Sequence, residues 1–193
     1  MLDRLRLNVR EGLSPVAKKI VGVNPNTLTL LGLLISIAAA IFFAKGEVLA
    51  AGSLLLISGF FDVLDGAVAR ENGRTTRFGG FLDSVCDRFA DAAILIGAMY
   101  GGLTSFPLFP GWFPGWFLGS LAIVGSFMVS YTRARAEAAG AAAAVGIGER
   151  AVRMVILILG AFLNLVNWAV LLVIVISFIT VIQRIVFVRG TLK

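Results

Sequence analysis

The sequence predicts an all-α integral membrane protein, with six transmembrane helices following an N-terminal interfacial amphipathic helix. Three observations carry this. Of 193 residues, 59% are apolar and only 15% charged, against about 45–50% and 25% in soluble domains. The mean hydropathy is +0.95. The apolar residues fall into separate runs, each close to the roughly 20 residues that cross a bilayer core. A soluble globule of this length could not hide so much apolar surface, so lipid must cover much of it.

The first 22 residues alternate Leu2, Leu5, Leu7, Val9 and Leu13 with Arg4, Arg6, Arg10, Lys18 and Lys19. That pattern is too charged for a signal-peptide core and suits a juxtamembrane helix lying on an anionic leaflet. Asn24-Pro25-Asn26-Thr27 supplies turn chemistry and a helix cap. Six spans are expected at 27–44, 48–70, 79–100, 113–138, 149–166 and 168–188, forming one core over 27–188 within a single domain of residues 1–193. Lys45-Gly46-Glu47 makes the first turn. Residues 101–116 form an uncharged Gly/Pro/aromatic loop whose Trp112 and Trp116 suit a membrane interface. Asn164 and Asn167 mark the last hairpin.

The net charge is +6. The cations sit between apolar runs, so they read as membrane anchors and anion binders rather than as a nucleic-acid surface. Arg70, Arg74 and Arg77 lie in one loop region, Arg133, Arg135, Arg150 and Arg153 in another, and Arg184, Arg189 and Lys193 end the chain. The opposite side has only Lys45. The positive-inside rule therefore places both termini and both basic loops in the cytoplasm of a multi-pass cell-membrane protein. There is no His, which excludes imidazole catalysis and Ser-His-Asp triads. The single Cys86 excludes an internal disulfide.

The second and third spans carry Asp62, Asp65, Asp83, Asp87 and Asp91. On insertion scales five central Asp cost at most about 12–17 kcal/mol, relieved here because all lie toward the cytoplasmic end. Asp62 and Asp65 are spaced i, i+3, and Asp83, Asp87 and Asp91 step by i, i+4. Such neighbours share a helix face, so each helix presents an acidic stripe. All-oxygen donors suit Mg²⁺, Mn²⁺ or Ca²⁺. A structural cluster paired with Arg70, Arg77 and Arg88, or a divalent-cation transporter, would also place acids in a membrane.

Residues 62–87 match D-x2-D-G-x2-A-R-x8-G-x3-D-x3-D without exception. This resembles the signature of the CDP-alcohol phosphotransferases, integral membrane enzymes of phospholipid synthesis. The resemblance implies transfer of a lipid-phosphate group from a CDP-lipid (CDP-archaeol or CDP-diacylglycerol) to an alcohol, with release of CMP. It implies two Mg²⁺ or Mn²⁺ ions on Asp62, Asp65, Asp83 and Asp87, with Asp87 also the general base. Gly66, Ala69 and Gly79 would let the cytidine approach the helix backbones beside Asp65. Arg70 and Thr76 would bind the diphosphate, and Pro25 and Thr29 would meet the nucleotide. A homodimer is implied by the same resemblance.

Residues 130–137 and 148–153 read S-Y-T-R-A-R-A-E and G-E-R-A-V-R. They are similar to the branch of that family whose acceptor is inositol phosphate, although Ala151 and Val152 stand where many members have Pro and Glu. Asp91 and Gln183-Arg184 also resemble that branch. An acceptor that carries a phosphate needs cations, and Arg offers planar bidentate donors. Arg133, Arg150, Arg153 and Arg184, with Asp91, are therefore the expected acceptor-phosphate site, and Glu137 and Glu149 could orient the arginines. Glycerol 3-phosphate would also want cations. Serine would not.

Overall fold

The computed structural model describes residues 22–73, 75–105, 114–143 and 145–192. The described residues form six helices and no strand: α1 (Pro25–Ala44), α2 (Val48–Glu71), α3 (Arg77–Tyr100), α4 (Gly115–Ala138), α5 (Arg150–Phe162) and α6 (Val166–Thr191). The amphipathic helix expected before residue 22 lies outside the described residues, as do Arg74, Trp112 and Lys193. Trp116 is exposed in the first turn of α4, as an interfacial residue should be.

Local chemistry sets the helix ends. The Asn24 side chain caps α1 by accepting from the Asn26 N–H at 3.1 Å, with Pro25 in the first turn. At the other end, Glu47 N–H bonds to the Phe42 carbonyl and Gly46 N–H to that of Phe43, a Schellman closure at the turn the sequence marks. The same closure ends α5. Leu165 N–H reaches Gly160 O, Asn164 N–H reaches Ala161 O, and Asn164 holds φ 56°.

Four helices, α1, α2, α4 and α6, are long and apolar enough to cross a membrane, which makes this a multi-pass membrane protein. The other two expected spans differ. α5 has 13 residues rather than the 18 expected at 149–166. At about 1.5 Å per residue it is some 20 Å long, short of a ~30 Å hydrocarbon core. The backbone already turns at Asn164, so α6 starts at Val166. α3 has the length, but Asp83, Asp87, Arg88 and Asp91 interrupt its apolar character.

α1 packs on α2 and α3, α2 on α5, α3 on α4, α4 on α6, and α5 on α6. Phe43, Leu55, Ile94, Leu95, Ala122, Val170 and Val173 are buried at the centre. Leu34, Leu49, Phe78, Phe81, Phe89, Ile182 and Val186 are each more than half exposed. An apolar core inside an apolar outer surface is what lipid, not water, stabilises. Successive helices run in alternating directions. The start of α1, the end of α2, the start of α3, the end of α4, the start of α5 and the end of α6 therefore meet at one end of the bundle, where the polar residues gather.

Candidate active site

The eight residues expected around the nucleotide come together. Pro25, Thr29, Asp65, Gly66, Ala69, Arg70, Thr76 and Gly79 line one cavity of about 200 Å³ between the start of α1, the end of α2 and the start of α3. Asp83 lines it too, as does Asn26, which the motif does not mark. Helix geometry explains the convergence on α2, since positions 62, 65, 66 and 69 share a face. The structure also gives two of these side chains work inside the protein. Thr29 Oγ1 donates to Asp65 Oδ2 at 2.5 Å, holding a carboxylate that is only 6% exposed. Thr76 Oγ1 accepts the Gly79 N–H at 2.9 Å and so caps α3. From the sequence, Thr76 is expected at the diphosphate and the start of this helix at residue 79, although a Thr just before a helix is itself a cap signal. The Thr29–Asp65 bond has no such signal.

Deeper in, Asp62, Asp83 and Asp87 each bring one carboxylate oxygen within 4.8 Å of the others. Asp65 stands outside this group, turned toward Thr29. Three convergent oxygen donors at that separation fit one hard divalent cation, and the chemistry of the set disfavours a soft one. A guanidinium shares the cluster. Arg150, at the start of α5, lies 2.8 Å from Asp62 Oδ1, 2.9 Å from Asp87 Oδ1 and, through Nε, 3.4 Å from Asp91 Oδ1. It ties α2, α3 and α5 together at the carboxylates. Arg88 bonds to the Ser84 carbonyl and approaches Asp87 Oδ2 at 3.4 Å. The sequence grouped Arg150 with the acceptor residues; its carboxylate partners were not apparent there.

The four arginines do converge. Arg133, Arg150, Arg153 and Arg184 line a second cavity of about 330 Å³, with Glu137 and Glu149 on its wall. Topological anchors sit in water, yet Arg153 is 3% exposed and Arg184 2%. Arg153 donates to Gly148 O at 2.7 Å and to Asp91 Oδ2 at 2.8 Å. Arg184 donates to Val145 O at 2.9 Å and also to Val129 O. A guanidinium carries five N–H donors, so these bonds leave further donors on each. Arg133 is exposed and paired with Glu137 at 3.0 Å. Asp91 is not itself placed to meet a phosphate; it holds Arg150 and Arg153. Arg150 lies on the wall between the basic cavity and the Asp62–Asp87 cluster and lines both.

An apolar bundle with a cavity lined by small residues and a carboxylate cluster abutting a basic pocket is the arrangement of a membrane enzyme that acts on charged substrates. The chain belongs to the CDP-alcohol phosphatidyltransferase family, whose model matches residues 22–188. It is 41% identical over 188 residues to the archaetidylinositol phosphate synthase of Pyrococcus horikoshii, covering 96% of this chain and 95% of that one. Its fold matches the phosphatidylinositol phosphate synthase of Mycobacterium tuberculosis, at 33% identity. Against the crystal structure with manganese and citrate the TM-score is 0.78, over 91% of this chain and 88% of that one. Against the structure with CDP-DAG bound it is 0.75, over 96% and 94%. Membership in a transferase family sets aside the cation-transport reading of the intramembrane acids.

Proposed function

We propose that this enzyme transfers the lipid-phosphate group of a CDP-lipid to 1L-myo-inositol 1-phosphate and releases CMP. The observation that carries the acceptor assignment is the pair of buried arginines, Arg153 and Arg184, in a basic cavity that adjoins the carboxylate cluster through Arg150. The names of the relatives point the same way. The archaeal relative favours CDP-archaeol as donor, and the mycobacterial one keeps CDP-diacylglycerol in contention.

The donor's cytidine occupies the cavity of Gly66, Ala69 and Gly79, where small side chains leave room against the helix backbones, with Pro25 and Thr29 at its edge. Arg70 and Thr76 meet the diphosphate, and Thr29 keeps Asp65 in place. Asp62, Asp83 and Asp87, joined by Asp65 on the neighbouring wall, would hold two Mg²⁺ or Mn²⁺ ions; the three convergent oxygen donors and the manganese-bound relative support a divalent-metal site. Bound there, such ions would offset diphosphate charge and the charge that develops on the transferring phosphorus. Arg133, Arg153 and Arg184 grip the phosphate of the acceptor, and Asp91 and Glu137 orient their guanidinium groups. Arg150 bridges the two halves of the site. Asp87 accepts the proton of the attacking hydroxyl; that oxygen bonds to the lipid-side phosphorus, and the bond to CMP breaks.

On this reading the chain is one membrane domain over residues 1–193. α3 and the shorter α5, which relies on neighbouring helices rather than its own length, complete six passes, the active site and both termini face the cytoplasm, and the enzyme works as a homodimer. The basic loops support the orientation.

Acceptor profiling of the purified enzyme with a labelled CDP-lipid tests the reaction. Inositol phosphate should be the preferred acceptor, and free inositol should be poor because it offers the arginines no partner. Arg153→Ala should raise the KM for inositol phosphate by about 10–150-fold, the loss of a charge-assisted bond of about 1.5–3 kcal/mol, with little change in the KM for CDP-lipid. Preference for glycerol 3-phosphate would make this a glycerophosphate-accepting synthase. Equal use of free inositol would return the arginines to a purely structural role.

A further inference from the structure

The connection between α4 and α5 is tied to α6 by bonds that neither the motif nor the reaction calls for. Thr180 of α6 is fully buried. Its Oγ1 donates to Ile176 O at 2.7 Å and accepts the Gly148 N–H at 2.8 Å. The Gly148 carbonyl in turn accepts from Arg153 at 2.7 Å, and Arg153 donates to Asp91 at 2.8 Å. Gly148 N–H and C=O belong to successive peptide planes that meet at its Cα. Thr180 holds one plane and Arg153 the other, across the residue type with the freest backbone.

Two glycines bring the connection this close. Gly146 has φ +120°, and a Cβ there would fall 2.3 Å from Thr180 Cγ2. A Cβ on Gly148 would fall 2.9 Å from Ile176 O. Without the Thr180 hydroxyl, the Gly148 N–H would be buried with no partner, and that plane would turn to find one. The carbonyl that orients Arg153 would turn with it, and so would the entry into α5, which begins at Arg150.

We propose that Thr180 is a positioning residue for the acceptor pocket: through Gly148 it sets the orientation of Arg153 and the start of α5. The proposal rests on the assignment of Arg153 to the acceptor phosphate. It differs from a packing role, because the Thr180 methyl makes the closest approach to Gly146 while the hydroxyl makes the bond to Gly148.

The test compares Thr180→Val, which keeps the shape and removes the hydroxyl, with Thr180→Ser, which keeps the hydroxyl. Full-length enzyme in detergent is assayed for kcat and for the KM of each substrate, with Arg153→Ala in parallel. Thr180→Val should raise the KM for inositol phosphate about tenfold, with the KM for CDP-lipid near wild type, and Thr180→Ser should restore it. An unchanged KM for inositol phosphate in Thr180→Val, or an equal rise for both substrates, would overturn the proposal. If Arg153→Ala also leaves that KM unchanged, the acceptor assignment itself has failed; if only Thr180→Val does, the positioning role alone has failed. Amide exchange in the wild-type protein gives a measure that needs no variant. The Gly148 amide should be strongly protected, and exchange at the rate of a free loop would equally overturn the proposal.

Discussion

Asp87→Asn is expected to lower turnover by about 10²–10⁴-fold, the usual cost of losing a general base, while CDP-lipid still binds. The amide keeps the shape of the carboxylate and an oxygen that can accept from Arg150, now 2.9 Å from Asp87 Oδ1. It cannot take a proton from the acceptor hydroxyl. Asp62→Ala should behave differently, weakening donor binding and turnover together, because it opens the cluster shared with Asp83 and Asp87. The measurement is kcat for both variants beside equilibrium binding of a CDP-lipid. Near-normal turnover in Asp87→Asn would remove it from the role of base. Asp91 is the neighbouring carboxylate on the same face, but Arg150 approaches one of its oxygens and Arg153 bonds the other. Asp87 is also held by arginines, Arg150 at 2.9 Å and Arg88 at 3.4 Å, so what distinguishes it from Asp91 is its motif position and its place beside Asp62 and Asp83.

Chelation should abolish activity altogether, and Mg²⁺ or Mn²⁺ should restore it. Asp62, Asp83 and Asp87 bring oxygens within 4.8 Å of one another with one bridging guanidinium, which contacts Asp62 and Asp87. A diphosphate brings further negative charge to the same place. Like charges so close in a partly buried site repel strongly, so donor binding calls for added cations. Treating the detergent-purified enzyme with EDTA, then titrating back each metal, reads this directly. Full turnover in EDTA would make the carboxylates a structural cluster held by Arg150 and Arg88.

Much of the site was legible because helices repeat over short distances. Once residues 48–71 are helical, Asp62, Asp65, Gly66 and Ala69 must share a face, and no tertiary information is needed to say so. The same holds for Asp83, Asp87 and Asp91 on α3. The turn at Gly46 and the left-handed Asn164 are likewise local, set by the residue types that close a helix. Span lengths were less secure. The apolar run at 149–166 continues past the end of α5 because hydrophobicity does not register a turn that Asn164 makes.

The amino-acid order alone therefore established an all-helical membrane chain, its acidic stripes, its small-residue face and the arginines available to an acceptor. Each of these follows from spacing within one helix or from composition. Only the tertiary structure decided which side chains serve one another. Arg150 meets Asp62 across 88 residues, Arg153 meets Asp91 across 62, Thr29 holds Asp65 across 36 and Thr180 holds Gly148 across 32. None of these pairs has a spacing that a helix period can encode. They depend on which helices lie side by side and on the close seating of the 145–149 backbone against α6. That is a matter of packing, in which Arg184 is buried among backbone carbonyls although its sequence neighbours Ile185 and Val186 are more than half exposed.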